Sequence, residues 1–508
     1  MQETWFEQAQ NFLKVKEQFM LGELSTERQN PKTIGLAELS QHNLHDALVD
    51  FHEVDKQTLR TLINKLPLLE EMADSISETV KSQHRIFFVG CGATGRLSLS
   101  IEFLARASGG FFDQQVTGLM AGGDLALIHS IERFEDYPEY AVRQLRDLNF
   151  SENDLLIAVT EGGETPFVIG AVEYAAKFSK RKPFFLYCNP DDILKKVAAR
   201  SKAVLENSAI SKINLDVGPM ALSGSTRLQA TTIQMSACCL ALLHYNEKDK
   251  WVSLVESMLN QVDSLVHEDF ERLIENESQF YQNAEAVLYK VDPFLAIAVM
   301  TDTTERSPTF SLASFENRFE PERPFSWCYL YDSEAESAED AWLKLLMRRP
   351  NTLEWPELDG IASMKRLLGF DFSKSLKRHR ESGMKCTQHI AQIELHKDYI
   401  RLTIGPDRAT ISNQHFQLWQ SHIMLKIALN AHSTLVMGRL KRYQSNIMTY
   451  VRPSNNKLID RATRYIMALL KEQGRTDYSY DQIVMKIFEV RTKISPCQPI
   501  VLEVMKEL

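Results

Sequence analysis

The chain has 508 residues, too many for one ordinary core, so two domains with helical additions are expected. Hydrophobic residues at 44% and charged residues at 25% fit a water-soluble globular protein, and a net charge of −9 argues against nucleic acid as the main partner, because binding to a phosphate backbone is driven by Lys and Arg. Seven scattered cysteines without a C-x-x-C pair suggest neither a disulfide framework nor a zinc site, and no run approaches the roughly 20 apolar residues that cross a bilayer.

The first 80 residues read as helical. Phe6, Phe12 and Phe19 recur at about two-turn spacing, and Leu59, Leu62, Ile63, Leu66 and Leu69 form a 3.6-residue stripe. Between them LSTERQNPKT (Leu24–Thr33) is irregular, with turn chemistry at Asn30-Pro31. The opening segment carries acids and no continuous apolar core, so it is not read as a secretory signal. A cytoplasmic protein with no membrane partner is the expectation.

From about residue 84 short apolar runs alternate with loops and helical segments: RIFFVGC, LLIAVT and FFLYCN. Continuously apolar runs are the pattern of buried parallel strands, and strand–helix alternation predicts a doubly wound α/β sheet whose ligands bind at the carboxyl ends of the strands. The first such end is VGCGATGRLS (Val89–Ser98), where Gly90, Gly92 and Gly95 satisfy G-x-G-x-x-G. Gly92, Ala93, Thr94, Gly95 and Arg96 would bring backbone N–H groups, a hydroxyl and a helix N-terminus to an anion. For a dinucleotide, an acidic residue should end the next strand about 20 residues on. Asp113 precedes the apolar run VTGLM instead, and Asp124 lies too far along, which argues for another phosphate-bearing ligand.

AGGDLALIHSIERFED (Ala121–Asp136) places Glu132, Glu135 and Asp136 on a predicted helix. They are either an acidic solvent face or carboxylates that accept sugar hydroxyls or take a proton alpha to a carbonyl. The next strand ends in TEGGETP (Thr160–Pro166), which sets Gly162, Gly163 and Thr165 at a helix start, with Pro166 suited to its first turn. GPMALSGSTRLQATT (Gly218–Thr232) then clusters Ser223, Ser225 and Thr226 around Gly224, with Arg227 opening a helix. Three hydroxyls and an arginine exceed what an N-cap requires.

Residues 246–290 are polar and helical and are read as a connection. A second α/β unit is expected at PFLAIAVMTDTTERSPTFSLASFE (Pro293–Glu316), with AIAVM as strand and TDTTERSP as a loop that lacks glycine. Glu334–Gln392 is charged and poor in strand signals. QIELHKDYIRLTIG reads as a strand pair, and a long helical region follows from about Asn413.

Taken together, the loops resemble the sugar isomerase (SIS) superfamily, in the branch of the N-acetylmuramic acid 6-phosphate etherases and the glucokinase regulatory protein. The residues that carry the resemblance are TERQNP (Thr26–Pro31), GCGATGRL, AGGD, ETPFVIGAVEYA and LSGSTRL, in the family's order and spacing. It resumes at NAHSTLVMGRLKRYQSNIM…SNNKLIDRA (Asn430–Ala462). The length is similar to the fused arrangement of the regulatory protein. That implies a helical segment over 1–80, a first SIS domain over 81–270, a second, degenerate SIS domain over 271–445 and a helical cap over 446–508.

The resemblance implies a hexose 6-phosphate or amino-sugar phosphate ligand, with no cofactor and no metal. Thr94, Thr165, Ser223, Ser225 and Thr226 would bind phosphate and hydroxyls, Arg227 and Arg439 would supply charge, and Glu135 would accept sugar hydroxyls. On this reading the chain is a phosphosugar-binding regulatory protein whose partner is a sugar kinase or another protein. The alternative is a lyase in which Glu135 takes the proton alpha to the open-chain aldehyde and the lactyl ether leaves by β-elimination. The departures favour binding. The second family glutamate falls on Leu104, with Glu102 about 200° away around the helix. The two family lysines after S-G-S-T-R-L fall on Gln229 and Met235, and the arginine of the family's S-G-R-T loop falls on Glu164.

Overall fold

The computed structural model describes residues 4–110, 112–131, 134–453, 455–495 and 498–508. Five short strands, β1 (Ile86–Gly90), β2 (Val116–Met120), β3 (Leu155–Val159), β4 (Phe184–Tyr187) and β5 (Ser211–Asn214), form a parallel sheet in the order β2-β1-β3-β4-β5. Ile86 pairs with both Val116 and Leu155, so β1 is central to the first three strands. Every residue of β1 and β3 is buried because helices cover both faces, which is why those strands are apolar throughout instead of alternating. The chain passes from β1 outward to β2, then returns across β1 to β3. That reversal opens a crevice beyond the carboxyl ends of β1 and β3.

A second five-stranded sheet is mixed. β6 (Ala286–Val291) runs parallel to β7 (Cys328–Tyr331) and to β8 (Gln388–Leu395), while β8, β9 (Tyr399–Ile404) and β10 (Asp407–Ser412) form an antiparallel meander, giving β10-β9-β8-β6-β7. The strand pair expected at QIELHKDYIRLTIG is the β8–β9 hairpin, in which Ile393 faces Leu402. The strand expected at AIAVM is instead the start of the helix Ala296–Phe310, and TDTTERSP continues that helix. Ile297, Val299, Met300, Thr303, Thr304 and Arg306 are all buried, so its length up to Arg306 is enclosed, and only its last turn opens onto the cavity. A fully enclosed helix carries the same unbroken apolar run as a buried strand, and periodicity cannot separate them.

The two sheets share one interior. The helix Leu418–Arg439 is buried along nearly its whole length and packs against the helices Leu44–Lys65, Gln229–Leu243, His267–Gln282 and Ala296–Phe310, joining the helical layers of both units. At the carboxyl end, helices Asn456–Glu472, Tyr480–Arg491 and Ile500–Glu507 form a cap, against which Trp5–Val15 packs with Phe12 on Phe488. Among the described residues no helix is long and apolar enough to cross a membrane, and six cysteines carry free thiols.

Candidate functional site

A cavity of about 600 Å³ occupies the crevice at the β1–β3 reversal. Four loops of the first unit reach it: Cys91–Ala93, Phe134–Asp136, the Glu161–Thr165 loop and Gly224–Arg227. The helix Ala296–Phe310 closes it from the second unit with Glu305 and Ser307, the segment before the cap contributes Arg452, and the cap contributes Lys457 and Arg461. Backbone geometry explains why the loops begin on glycines. A Cβ on Gly90 would lie 2.3 Å from the Thr94 carbonyl, and Gly224 (φ +70°) would drive one to 2.4 Å from the Tyr465 hydroxyl. Tyr465 in turn donates to Ser223 O at 2.6 Å, so the cap holds the third loop in place.

The structure brings Gly92, Ala93, Arg96, Glu135, Gly162, Thr165, Gly224, Ser225, Thr226 and Arg227 to the cavity wall. It does not bring the other expected residues there. Thr94 Oγ1 turns back to its own loop, accepting from Cys91 N at 3.1 Å and donating to Cys91 O at 2.9 Å. Ser223 Oγ donates to Glu27 O at 2.9 Å and is fully buried. Gly95 and Gly163 shape their turns from behind, where Cβ atoms would meet Met120 and Leu194 at 2.5 Å. Arg439 lies at the end of its helix with Nε on Ser278 Oγ at 2.9 Å, away from the cavity, because the last turn of Leu418–Arg439 faces the second unit. Glu135 sits in a short 3-10 turn (Phe134–Asp136) and not on the long helix expected there, and Glu132 lies outside the described residues.

The cation that the sequence placed at Arg439 is supplied by Lys457, from the NKLIDRA run. Its Nζ lies 2.7 Å from Glu164 and 3.7 Å from Glu135. Burial raises the Glu164 carboxyl, but Lys457 and Arg200 (2.6 Å) outweigh it and hold the group down at about 2. Glu27 follows the same pattern: burial opposes ionisation, while Arg461 (2.5 Å) and Arg464 (3.0 Å) hold it at about 2. Arg96 pairs with Glu305 at 3.0 Å. Arg227 pairs with Asp302 at 3.0 Å and donates to Asn430, Ser433 and Thr434, so its charge is engaged by the fold.

Two cavity carboxyls are less satisfied. Burial pushes Glu161 up to about 7; Thr231 Oγ1 donates to it at 3.1 Å, and no ion pair holds it among the described residues. Burial also raises Glu135, against the pull of Lys457. Sequence reasoning passed over Glu161 because an acid in a glycine loop has no periodic signature. Leu104, at the position of the second family glutamate, is buried, and Glu102 is bound by Arg348, Arg106 and the Gly118 amide. Among the described residues no group of His, Cys, Asp and Glu could hold a metal ion.

Comparison with known proteins places these loops. The family model of the glucokinase regulatory protein N-terminal SIS domain matches residues 68–176. The N-acetylmuramic acid 6-phosphate etherase of Lactococcus lactis subsp. cremoris is 35% identical over 214 residues, 42% of this chain and 67% of that protein. The etherase of Klebsiella aerogenes is 32% identical over 216 residues, 42% of this chain and 66% of that protein. Among solved structures, tagatose-6-phosphate ketose/aldose isomerase from Escherichia coli aligns at a TM-score of 0.41 and 11% identity, over 78% of this chain and 93% of that one.

Proposed function

Since the chain belongs to the SIS superfamily, in the branch of the N-acetylmuramic acid 6-phosphate etherases and the glucokinase regulatory protein, we propose that its cavity binds a hexose 6-phosphate derivative and cleaves the lactyl ether of N-acetylmuramic acid 6-phosphate. The observation that supports turnover is a pair of carboxyls on one cavity with different environments. Glu135 lies beside the Lys457 ammonium, and Glu161 is buried with its carboxyl at about 7. Carboxyls in unequal environments divide acid and base roles.

In the proposed step the Glu135 carboxylate takes the C2 proton, alpha to the aldehyde of the open-chain sugar. The electron pair of that C–H bond forms the C2=C3 double bond as the C3–O bond to lactate breaks. The departing oxygen takes the proton of the Glu161 carboxyl, so lactate leaves as a neutral alcohol at that oxygen. Lys457 keeps Glu135 available as the base. Ser225 and Thr226 supply hydroxyls along the same wall.

A second reading, retention of a phosphosugar such as fructose 6-phosphate without turnover, is favoured by one observation. At the position where the resemblance implies a second glutamate this chain has the buried Leu104, and its neighbour Glu102 is held in an ion cluster. The sugar-kinase partner implied by the resemblance has no support from these relatives. Lactate release from N-acetylmuramic acid 6-phosphate decides between the readings. Release that is lost in Glu135→Gln supports the lyase. Stabilisation by sugar phosphates with no release supports retention.

A further inference from the structure

The backbone of Glu161 is fixed from two sides. Cys188 N donates to its carbonyl at 2.9 Å. The helix Gln229–Leu243 meets the loop after β3 at two points one turn apart, through Thr231 at the Glu161 carboxyl and through Gln234, whose Nε2 donates to Thr160 O at 2.9 Å. Glu161 lies on the cavity wall, whereas Thr231 is buried and off the wall. The Thr231 hydroxyl has two acceptors within reach and one hydrogen to give. Its Oγ1 lies 3.1 Å from Glu161 Oε1 and 2.9 Å from the Thr226 carbonyl oxygen, which also takes the Thr231 amide at 3.1 Å. Beside a protonated carboxyl, the amide carbonyl at the shorter distance is the better acceptor. Beside a carboxylate the order reverses, because a hydrogen bond to an ionised acceptor is roughly twice as strong as one between neutral groups.

We propose that Thr231 is a positioning residue for the Glu161 acid, its hydroxyl swinging from the Thr226 carbonyl to Glu161 Oε1 as the carboxyl gives up its proton. This rests on the reading of the cavity as a lyase site with Glu161 as the acid. The carboxyl proton goes to the departing lactyl oxygen, and the electron pair of the broken O–H bond stays on the carboxylate. Thr231 keeps its own proton and only turns. Its bond to Oε1 strengthens as charge develops there, and an interaction of that kind raises turnover more than affinity. The Thr231 amide stays on the Thr226 carbonyl throughout, so the loop that brings Ser225 and Thr226 to the cavity is not released. The other groups acting on Glu161 come from several elements. Its own amide bonds the carboxyl, Lys457 on the cap favours its charge, and Glu305 on the helix Ala296–Phe310 opposes it. The Cys91 and Cys188 thiols, on the loops after β1 and β4, are held protonated by burial.

The test is lactate release from N-acetylmuramic acid 6-phosphate by the full chain, followed from about pH 5 to about pH 9. Thr231→Val keeps the shape of the side chain and removes the donor. It is expected to lower kcat about 10-fold with KM within a few-fold. Without the donor the anion is disfavoured, so the alkaline decline in rate should move up by about one pH unit. Thr231→Ala should show the same shift, and Thr231→Ser should restore both the rate and the profile. Melting curves give a second readout that needs no turnover. The fall in stability with rising pH that Glu161→Gln abolishes should extend about one pH unit higher in the Thr231→Val background. Hydroxyl-free variants that keep the wild-type pH profile, a Thr231→Ser chain as impaired as Thr231→Val, or an unmoved melting profile each overturn the assignment while the functional reading stands. Wild type that releases no lactate at any pH overturns the functional reading and the positioning role with it.

Discussion

Arg348 grips Glu102 through both carboxylate oxygens, Nε to Oε1 at 2.8 Å and Nη2 to Oε2 at 2.9 Å, and reaches Asp124 with the same guanidinium. The arginine comes from the second unit and both acids from the first, so this clamp crosses the molecule. Arg348→Ala leaves the buried Asp124 without its cation and Glu102 with Arg106 alone. Losing one partner of a buried pair costs about 3–5 kcal/mol, and urea unfolding should show a loss of that size. Arg348→Lys should recover little, since an ammonium cannot reproduce the fork.

Glu161 predicts a pH dependence of definite sign. Its carboxyl stands at about 7 in the folded chain against an ordinary 4.5, so the folded state holds the proton where the unfolded state has released it. Stability therefore falls as pH rises from about 4.5 to about 7, by about 3 kcal/mol in all. Glu161→Gln cannot ionise. It should be more stable than wild type at pH 8 and equal to it near pH 4.5, with the difference between the two melting curves as the readout. If Glu161 is also the acid that protonates the leaving oxygen, wild-type lactate release should decline above pH 7.

Glu277 predicts the opposite slope. It is fully buried and accepts from Arg306 at 2.6 Å and from the Tyr281 and Tyr289 hydroxyls at 2.5 Å each, with His432 as a further partner. Burial opposes its charge, but Arg306 and His432 outweigh burial and hold its carboxyl well below 4.5. Its contribution is present above pH 4.5 and is lost as pH falls through the depressed value. Glu277→Gln should cost about 3–5 kcal/mol at pH 7 in denaturant unfolding, and less in strong acid.

Glu135→Gln separates chemistry from binding. As the proposed base it should lower lactate release about 10²–10⁴-fold while sugar-phosphate affinity, read by titration, stays within a few-fold. Loss of affinity without loss of turnover per bound ligand would assign Glu135 to recognition.

Arg439→Ala should leave ligand stabilisation untouched, because that guanidinium bonds Ser278 outside the cavity. At 100-fold excess of ligand over the dissociation constant, both wild type and variant should gain about 2.7 kcal/mol. Lys457→Ala is the informative contrast. It removes the ammonium shared by Glu164 and Glu135 and should change both ligand binding and stability.

The first sheet was legible in the sequence because its strands are short, wholly apolar and punctuated by glycine. VGCGATGR and TEGGETP announced their own geometry. The second unit was only partly legible: β8 and β9 alternate and could be read, whereas AIAVM lies in an enclosed helix whose composition mimics a strand. Side-chain direction was the least accessible. Thr94 and Ser223 carry hydroxyls at plausible positions, yet each is satisfied by a nearby carbonyl, a pairing set by backbone angles and not by residue type. Arg439 and Lys457 both fell within the resembling segment. Which one reaches the cavity depends on where the helix Leu418–Arg439 ends and how the cap folds back, and local sequence does not encode that.

The pairing of Glu27 with Arg461 joins residues 434 positions apart. At about 5–20 residues per second, a ribosome takes roughly 20–90 seconds to pass from one to the other. Throughout that interval the first sheet and its glycine loops can assemble, but the carboxylate that the cap will neutralise stays in water. The nascent chain thus carries the first sheet and an open crevice, and the pocket is complete only once Lys457 and Arg461 have been made.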